Sequence, residues 1–231
     1  IKIITKKEWV HVYGNGISGF KKFSGTLDFR NSGTSARSFL GLLSCYPYSV
    51  KITGDSSLKL RPFKRLTNYL ENIGAKIDHP KNKKYNLPIK ILGTKEWSLA
   101  QKHKLRVKSA QITSAIIYAA LQTKGITEII ESNETRDHTQ RLLKSLNTNI
   151  IVMKNKGKRI TKIQGQREMN NFTIDVPGDP SSSCFLIVQT LLSKKSSLLI
   201  TNVCINDTRI GFIKILKKMG AKIKIINKRK Y

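Results

Sequence analysis

Arg61, Arg136 and Arg209 stand about 74 residues apart, and so do Ser35, Ser109 and Ser182. Each serine lies in a cluster of small polar residues that opens an apolar, helix-like run, as in "NSGTSARSFLGLL" from Asn31 to Leu43. Serine and threonine side chains accept from the unpaired amides of a first helical turn. The same exposed N–H groups and the positive end of the helix attract anions. Arginine adds a planar fork that matches phosphate and carboxylate groups two bonds at a time. A single cluster reads equally well as a cap or as an anion site. Three in register, if pseudo-symmetry brings them together, would form a basic, amide-rich basin for phosphates and carboxylates.

The elements that must position these residues repeat in order. The first unit reads helix "SARSFLGLLSCY", strand "SVKITGD", a loop through Arg61, helix "RPFKRLTNYLENIG" and strand "AKIDH". The second reads "SAQITSAIIYAALQT", "ITEIIES", a loop with Arg136, "DHTQRLLKSLN" and "NIIVMK". The third begins as "SSSCFLIVQTLLS", "SSLLITNVC", a loop with Arg209, "TRIGFIKILKKMG" and "AKIKII". Phe63, Leu66, Leu70 and Ile73 share one helical face, and Ile213, Leu216 and Met219 share another. Gly74 and Gly220 fall where a helix stops on a left-handed residue, and Pro62 suits a first helical turn. "LPIKILG", "RITKIQG" and "FTIDVPG" read as further strands. The pattern predicts an α/β repeat with helices packed inside and sheets on one side.

Lys and Arg number 43 against 14 Asp and Glu, a net charge of +29 with 39% apolar residues. Such a field draws nucleic acid, acidic surfaces or small phosphorylated ligands. A nucleic-acid-binding module is the reading from another class. It lacks a stacking platform, since aromatic residues make up only 7% and do not interleave with the basic ones. Cys45, Cys184 and Cys204 have no metal-ligand spacing and read as reduced structural thiols, so neither a metal nor a disulfide framework is expected. The longest apolar stretch, near Ala115 to Leu121, is too short to span a bilayer. No membrane association and a cytoplasmic location are expected.

"NSGTSAR", "GDSSLKLRPF", "KSAQITSA", "TRDHT", "VPGDPSS" and "NDTRIGF…LKKMGA" resemble, in order, the motifs of the 5-enolpyruvylshikimate-3-phosphate synthase family of enolpyruvyl transferases. The resemblance implies an inside-out α/β barrel of repeated βαβαββ units with helices inside and sheets outside. It implies two domains closing on shikimate 3-phosphate and phosphoenolpyruvate, with no cofactor and a monomeric chain. Residues 1–177 would form most of one domain, a partial leading unit and two full ones. Residues 178–231 would begin the second. Ser109, Ala110 and Gln111 correspond to ligands of shikimate 3-phosphate, with Thr135 and Arg136 completing that pocket. Arg61 corresponds to a ligand of the phosphate of phosphoenolpyruvate, Gly33 to the tight loop beside it, with Asn31 and Thr34 in support, and Gln111 to a residue touching both substrates. The inhibitor glyphosate takes the phosphoenolpyruvate site in this family, and an alanine at the Gly33 position crowds it.

The family reaction adds the 5-hydroxyl of shikimate 3-phosphate to C2 of phosphoenolpyruvate, protonates C3 and expels phosphate. Its acid and base groups are expected before Ile1 and after Tyr231, so no catalytic residue is assigned here, and the 231-residue chain alone is expected to be an inactive central fragment. Asp137 of "TRDHT" reads as a helix N-cap and His138 as packing. Arg30 stands where the family has glycine, and Gln140 where it commonly has Glu; neither is expected to touch ligand. The sister enzyme acting on UDP-N-acetylglucosamine carries a cysteine in the loop corresponding to Gly54–Arg61. "GDSSLKLR" has none.

Overall fold

The structure is a computed structural model that describes residues 1–229 except Ser18, Ser24, 80–85 and 94–98. It divides into two compact units, Ile1–Asn170 and Asn171–Tyr231. The division falls ahead of the domain boundary expected at 177.

The first unit opens with an antiparallel pair, β1 (Ile3–Thr5) and β2 (Val10–Val12). The repeat then appears twice. β3 (Thr26–Asp28), α1 (Gly33–Leu43), β4 (Val50–Thr53), a short α2 (Ser56–Lys59), α3 (Lys64–Asn72), β5 (Lys76–Asp78) and β6 (Ile89–Leu92) make one copy. β7 (Lys102–Leu105), α4 (Ala110–Ala120), β8 (Ile126–Glu131), α5 (His138–Ser145), β9 (Ile150–Asn155) and β10 (Lys158–Gln164) make the other. The sheets run β3-β4-β6-β5 and β7-β8-β10-β9. In each, the first two strands are parallel across a helical crossover and the remaining pairings are antiparallel. Identical topology from two sequences with little local identity means that the spacing of caps and apolar positions carries the fold.

The helices form as their end signals require. Ser32 Oγ accepts from the amide of Ser35 at 3.3 Å and starts α1, and Ser109 Oγ accepts from Ile112 at 3.4 Å and starts α4. Phe63, Leu66, Leu70 and Ile73 are all buried, as their spacing predicted. α4 is apolar on nearly every side and buries Ile112, Ala115, Ile116, Ile117, Ala119 and Ala120. It is the central helix of the unit, and α1 packs on it through Gly41. A Cβ on Gly41 would lie 2.1 Å from the carbonyl oxygen of Ala115. Gly74 ends α3 with φ of 97° and Gly220 ends the last helix with φ of 95°, the left-handed stops the sequence predicted. Pro62 precedes Phe63, the N-cap position of α3, instead of entering the first turn. Arg30 carries φ of 50°. Glycine would suit that spot better, because a left-handed residue with a Cβ costs roughly 1–2 kcal/mol.

The second unit contains α6 (Pro180–Leu192) and α7 (Gly211–Lys218). "FTIDVPG", "SSLLITNVC" and "AKIKII" form no strands here; a single parallel bridge joins Gly178 to Val203. An extended segment becomes a strand only beside a hydrogen-bonding neighbour, and the described residues of this unit supply one bridge. Its apolar faces stay open: Ile213 is buried, but Met219, on the same predicted face, is 77% exposed, and Phe185 on α6 is 79% exposed.

His103, on β7, is buried with Nε2 unpartnered and the Tyr69 ring edge-on at 6.0 Å. Burial holds its pKa below the ordinary histidine value. Below about pH 6.5 the unfolded chain therefore binds a proton that the folded chain refuses. Stability is complete above that pH and falls as the medium becomes more acidic. Thermal unfolding of His103→Leu should show a flatter acid limb than wild type, the difference reaching at most about 1.4 kcal/mol per pH unit. Parallel acid limbs would mean that His103 does not titrate between the two states.

Candidate functional site

The N-termini of α1 and α4 meet. Gln111, in the first turn of α4, donates from Nε2 to Thr34 Oγ1, in the first turn of α1, at 2.9 Å. Asn31, just before α1, accepts from Arg61 Nη2 at 2.7 Å and donates to Asp55 Oδ2 at 2.8 Å. Asp55 also caps α2 by accepting from Leu58 N at 2.7 Å. That amide first, then the Asn31 amide, holds the Asp55 carboxyl below the usual carboxylate range. Asn31, Thr34, Arg61 and Gln111, all predicted from sequence, therefore fall into two hydrogen-bonded groups, Gln111–Thr34 and Arg61–Asn31–Asp55, on either side of Gly33 in the chain.

Gly33 sits under two guanidinium groups. A Cβ built on it would stand 2.8 Å from Arg37 Nη1 and 3.1 Å from Arg61 Nη1. Its φ is not positive, so it is the space beneath the two arginines, and not the turn, that favours glycine. Arg37, which the sequence analysis left outside the predicted site, is held by the Gly33 carbonyl at 3.1 Å and the Pro62 carbonyl at 3.2 Å, with Phe63 beneath it at 4.5 Å. Burial first, then the charge of Arg61, lowers its pKa. Two cations converging beside the open amides of a helix N-terminus suit an anion, which would relieve their mutual repulsion. The signal for Arg37 was present: four residues after Gly33, it returns to the same helical face.

The second predicted group surrounds the N-terminus of α5. Ser109 and Ala110 are half-buried at the start of α4, and Ser114 Oγ lies 2.8 Å from Thr139 Oγ1 on α5. Thr135 is buried and donates to Glu131 Oε1 at 2.7 Å, while the neighbouring Arg136 is exposed. Asp137 occupies the N-cap position of α5 without a capping bond from its side chain, and accepts from Arg141 Nε at 2.9 Å instead. His138 is exposed, where packing was expected, because the first turn of α5 leaves it on the solvent side. Gln140, set aside in the sequence analysis, is buried and donates to Glu131 at 3.5 Å.

Arg209 belongs to the second unit. Its Nη2 pairs with Asp179, the cap of α6, and donates to Ser181 Oγ at 2.8 Å. Its charge is thus largely answered within its own unit. Cys45, Cys184 and Cys204 are half-buried. Among the described residues no group of His, Cys, Asp and Glu is arranged to hold a metal, and no helix is long and apolar enough to cross a membrane.

Residues 2–230 match the family model for EPSP synthase (3-phosphoshikimate 1-carboxyvinyltransferase). The chain belongs to the EPSP synthase family. The 3-phosphoshikimate 1-carboxyvinyltransferase of Petrotoga mobilis is 44% identical over 229 residues, 99% of this chain and 52% of its own length. That of Zymomonas mobilis is 39% identical over 219 residues, 95% of this chain and 48% of its own. EPSP synthase from Acinetobacter baumannii superposes with a TM-score of 0.86 at 34% identity, covering 99% of this chain and 50% of that one. The fold is accordingly that of the enolpyruvyl transferases, and the chain spans about half the length of the EPSP synthases it matches.

Proposed function

We propose that the whole protein transfers the enolpyruvyl group of phosphoenolpyruvate to the 5-hydroxyl of shikimate 3-phosphate, releasing phosphate, in chorismate and aromatic amino acid biosynthesis. The observation that carries this reading is the Gln111–Thr34 bond, which joins the starts of two repeats beside Arg61 and Gly33. A residue touching both substrates has to stand where the two half-sites meet, and the bond to Thr34 supports Gln111 as that residue. In this reading Arg61, with Arg37 beside it, binds the phosphate of phosphoenolpyruvate over Gly33, with Asn31 and Thr34 fixing the fork and the amide. Ser109, Ala110, Gln111, Thr135 and Arg136 bind shikimate 3-phosphate. These groups orient the two substrates and offset their negative charge as they approach; such positioning turns an encounter of two anions into an intramolecular step. The protein acts as a cytoplasmic monomer.

The test is steady-state kinetics of the native protein with both substrates, against Arg136→Ala. Phosphate release should require both substrates. The variant should bind shikimate 3-phosphate more weakly by about 1.5–3 kcal/mol, the range for a charged hydrogen bond. An unchanged dissociation constant would return Arg136 to the solvated surface, and release without shikimate 3-phosphate would overturn the reading.

A further inference from the structure

Glu131 ends β8 and is 2% exposed, a carboxylate buried in a protein of +29 charge. Four side chains converge on it. Thr113 Oγ1 donates to Oε1 at 3.1 Å and Thr135 Oγ1 to the same oxygen at 2.7 Å. Gln140 Nε2 and Arg159 Nη1 both reach Oε2 at 3.5 Å. Arg159, on β10 and itself 3% exposed, also donates to the Thr135 carbonyl from both terminal nitrogens, at 3.1 and 3.0 Å. Taking two charges out of water is costly even when they pair, and apolar residues of similar size would often be as stable. The pair therefore calls for a reason other than stability.

The donors supply it. Thr113 lies in the opening turn of α4, two residues after Gln111, and its own hydroxyl also reaches the Ser109 carbonyl at 3.2 Å. Thr135 precedes Arg136, and Gln140 lies on α5. One carboxylate thus ties the segment that presents Ser109, Ala110 and Gln111 to the segment that presents Thr135 and Arg136. We propose that Glu131 is a positioning residue for shikimate 3-phosphate, fixing the separation of the two segments that hold it, with Arg159 balancing its charge and clamping the loop carbonyl. The inference rests on the function proposed above. Glu131 does not touch substrate; it acts through Thr113 and Thr135. A glutamine in its place would lose the charge that balances Arg159, and its NH2 could find no acceptor on that guanidinium, which only donates.

Thr113→Val and Glu131→Gln, made in the native protein, test this, with Thr113→Ser as the conservative variant. Thr113 is wholly buried, so its effect must pass through its two partners, the Glu131 carboxylate and the Ser109 carbonyl. Glu128→Gln is the control on the same strand, since Glu128 faces outward to Lys102 and Lys162. Thr113→Val and Glu131→Gln should raise the Michaelis constant for shikimate 3-phosphate by about tenfold, as the loss of a buried charged hydrogen bond would. The constant for phosphoenolpyruvate should rise less, because Gln111 is its one proposed ligand on the affected segment, while Arg61 and Gly33 lie on other elements. Thr113→Ser and Glu128→Gln should match wild type. Amide exchange at Ala110–Gln111 and Thr135–Arg136 should quicken in both affected variants even without ligand. If Glu131→Gln does not fold, Thr113→Val alone decides. Unchanged or equally raised constants for the two substrates, in a folded Thr113→Val, would overturn the inference and leave the function standing. A wild type that never saturates with shikimate 3-phosphate would overturn the function itself, and the inference with it.

Discussion

Gly41→Ala is expected to destabilise the first unit by about 2–3 kcal/mol, the upper part of the range for forcing a methyl into a packed core. Alanine favours an isolated helix by about 1 kcal/mol over glycine, so the local effect has the opposite sign. The clash decides. The new Cβ would stand 2.1 Å from the carbonyl oxygen of Ala115, and the carbon of that carbonyl and its Cα are also closer than 3 Å. All three are backbone atoms of the central helix, which cannot turn aside as a side chain would. α1 and α4 must therefore move apart, and with them Thr34 and Gln111 at their N-termini. Urea unfolding should show the lowered midpoint, and binding of both proposed substrates should weaken together. A midpoint within about 0.5 kcal/mol of wild type would place Gly41 among ordinary surface substitutions and not at a helix crossing.

Gly33→Ala should do the reverse: leave stability unchanged or slightly raised, and impair binding. Its backbone is acceptable to alanine, and it stands at the first helical position of α1. The atoms in the way are the tips of Arg37 and Arg61 at 2.8 and 3.1 Å, which can yield. Yielding displaces the two groups proposed to bind the phosphate of phosphoenolpyruvate. The Michaelis constant for that substrate should rise by about three- to tenfold, the inhibition constant for the longer glyphosate by more, and that for shikimate 3-phosphate little. Arg61→Ala sets the limit of such an effect, about 1.5–3 kcal/mol, or roughly 10- to 150-fold. Denaturation and inhibition curves on the same variant make the check. A stability loss with parallel loss of substrate and inhibitor would assign Gly33 a role in folding alone.

Reading the chain residue by residue recovered what depends on neighbours in sequence. Ser32 and Ser109 cap helices because a hydroxyl reaches an amide three positions on, and Gly74 and Gly220 stop helices because a left-handed residue favours glycine. The buried face of Phe63, Leu66, Leu70 and Ile73 follows from 3.6 residues per turn. Of the first unit's strands, β4, β5, β6, β8, β9 and β10 were legible from their apolar patterning, whereas β1, β2, β3 and β7 were not. Those expected in the second were not realised, since alternation marks a segment able to pair but says nothing about whether a neighbour is there.

The candidate site divides along the same line. Motif resemblance singled out Asn31, Gly33, Thr34, Arg61 and Gln111, and the fold brings them together. What each does there was settled by contacts across the fold. Gly33 serves by space because two arginines, one of them 28 positions away, arch over it, whereas the motif alone allowed a turn glycine. Arg209 holds the same place in its repeat as Arg61, yet Asp179 answers its charge, while the acid near Arg61 is engaged by Asn31 and Leu58. Glu131 and Arg159 meet only because β8 and β10 pair antiparallel and place them opposite one another. Hydrogen bonds within a turn are written in residue spacing; the worth of a charge or of a missing methyl depends on which distant atoms share its space, and only the packed chain decides that.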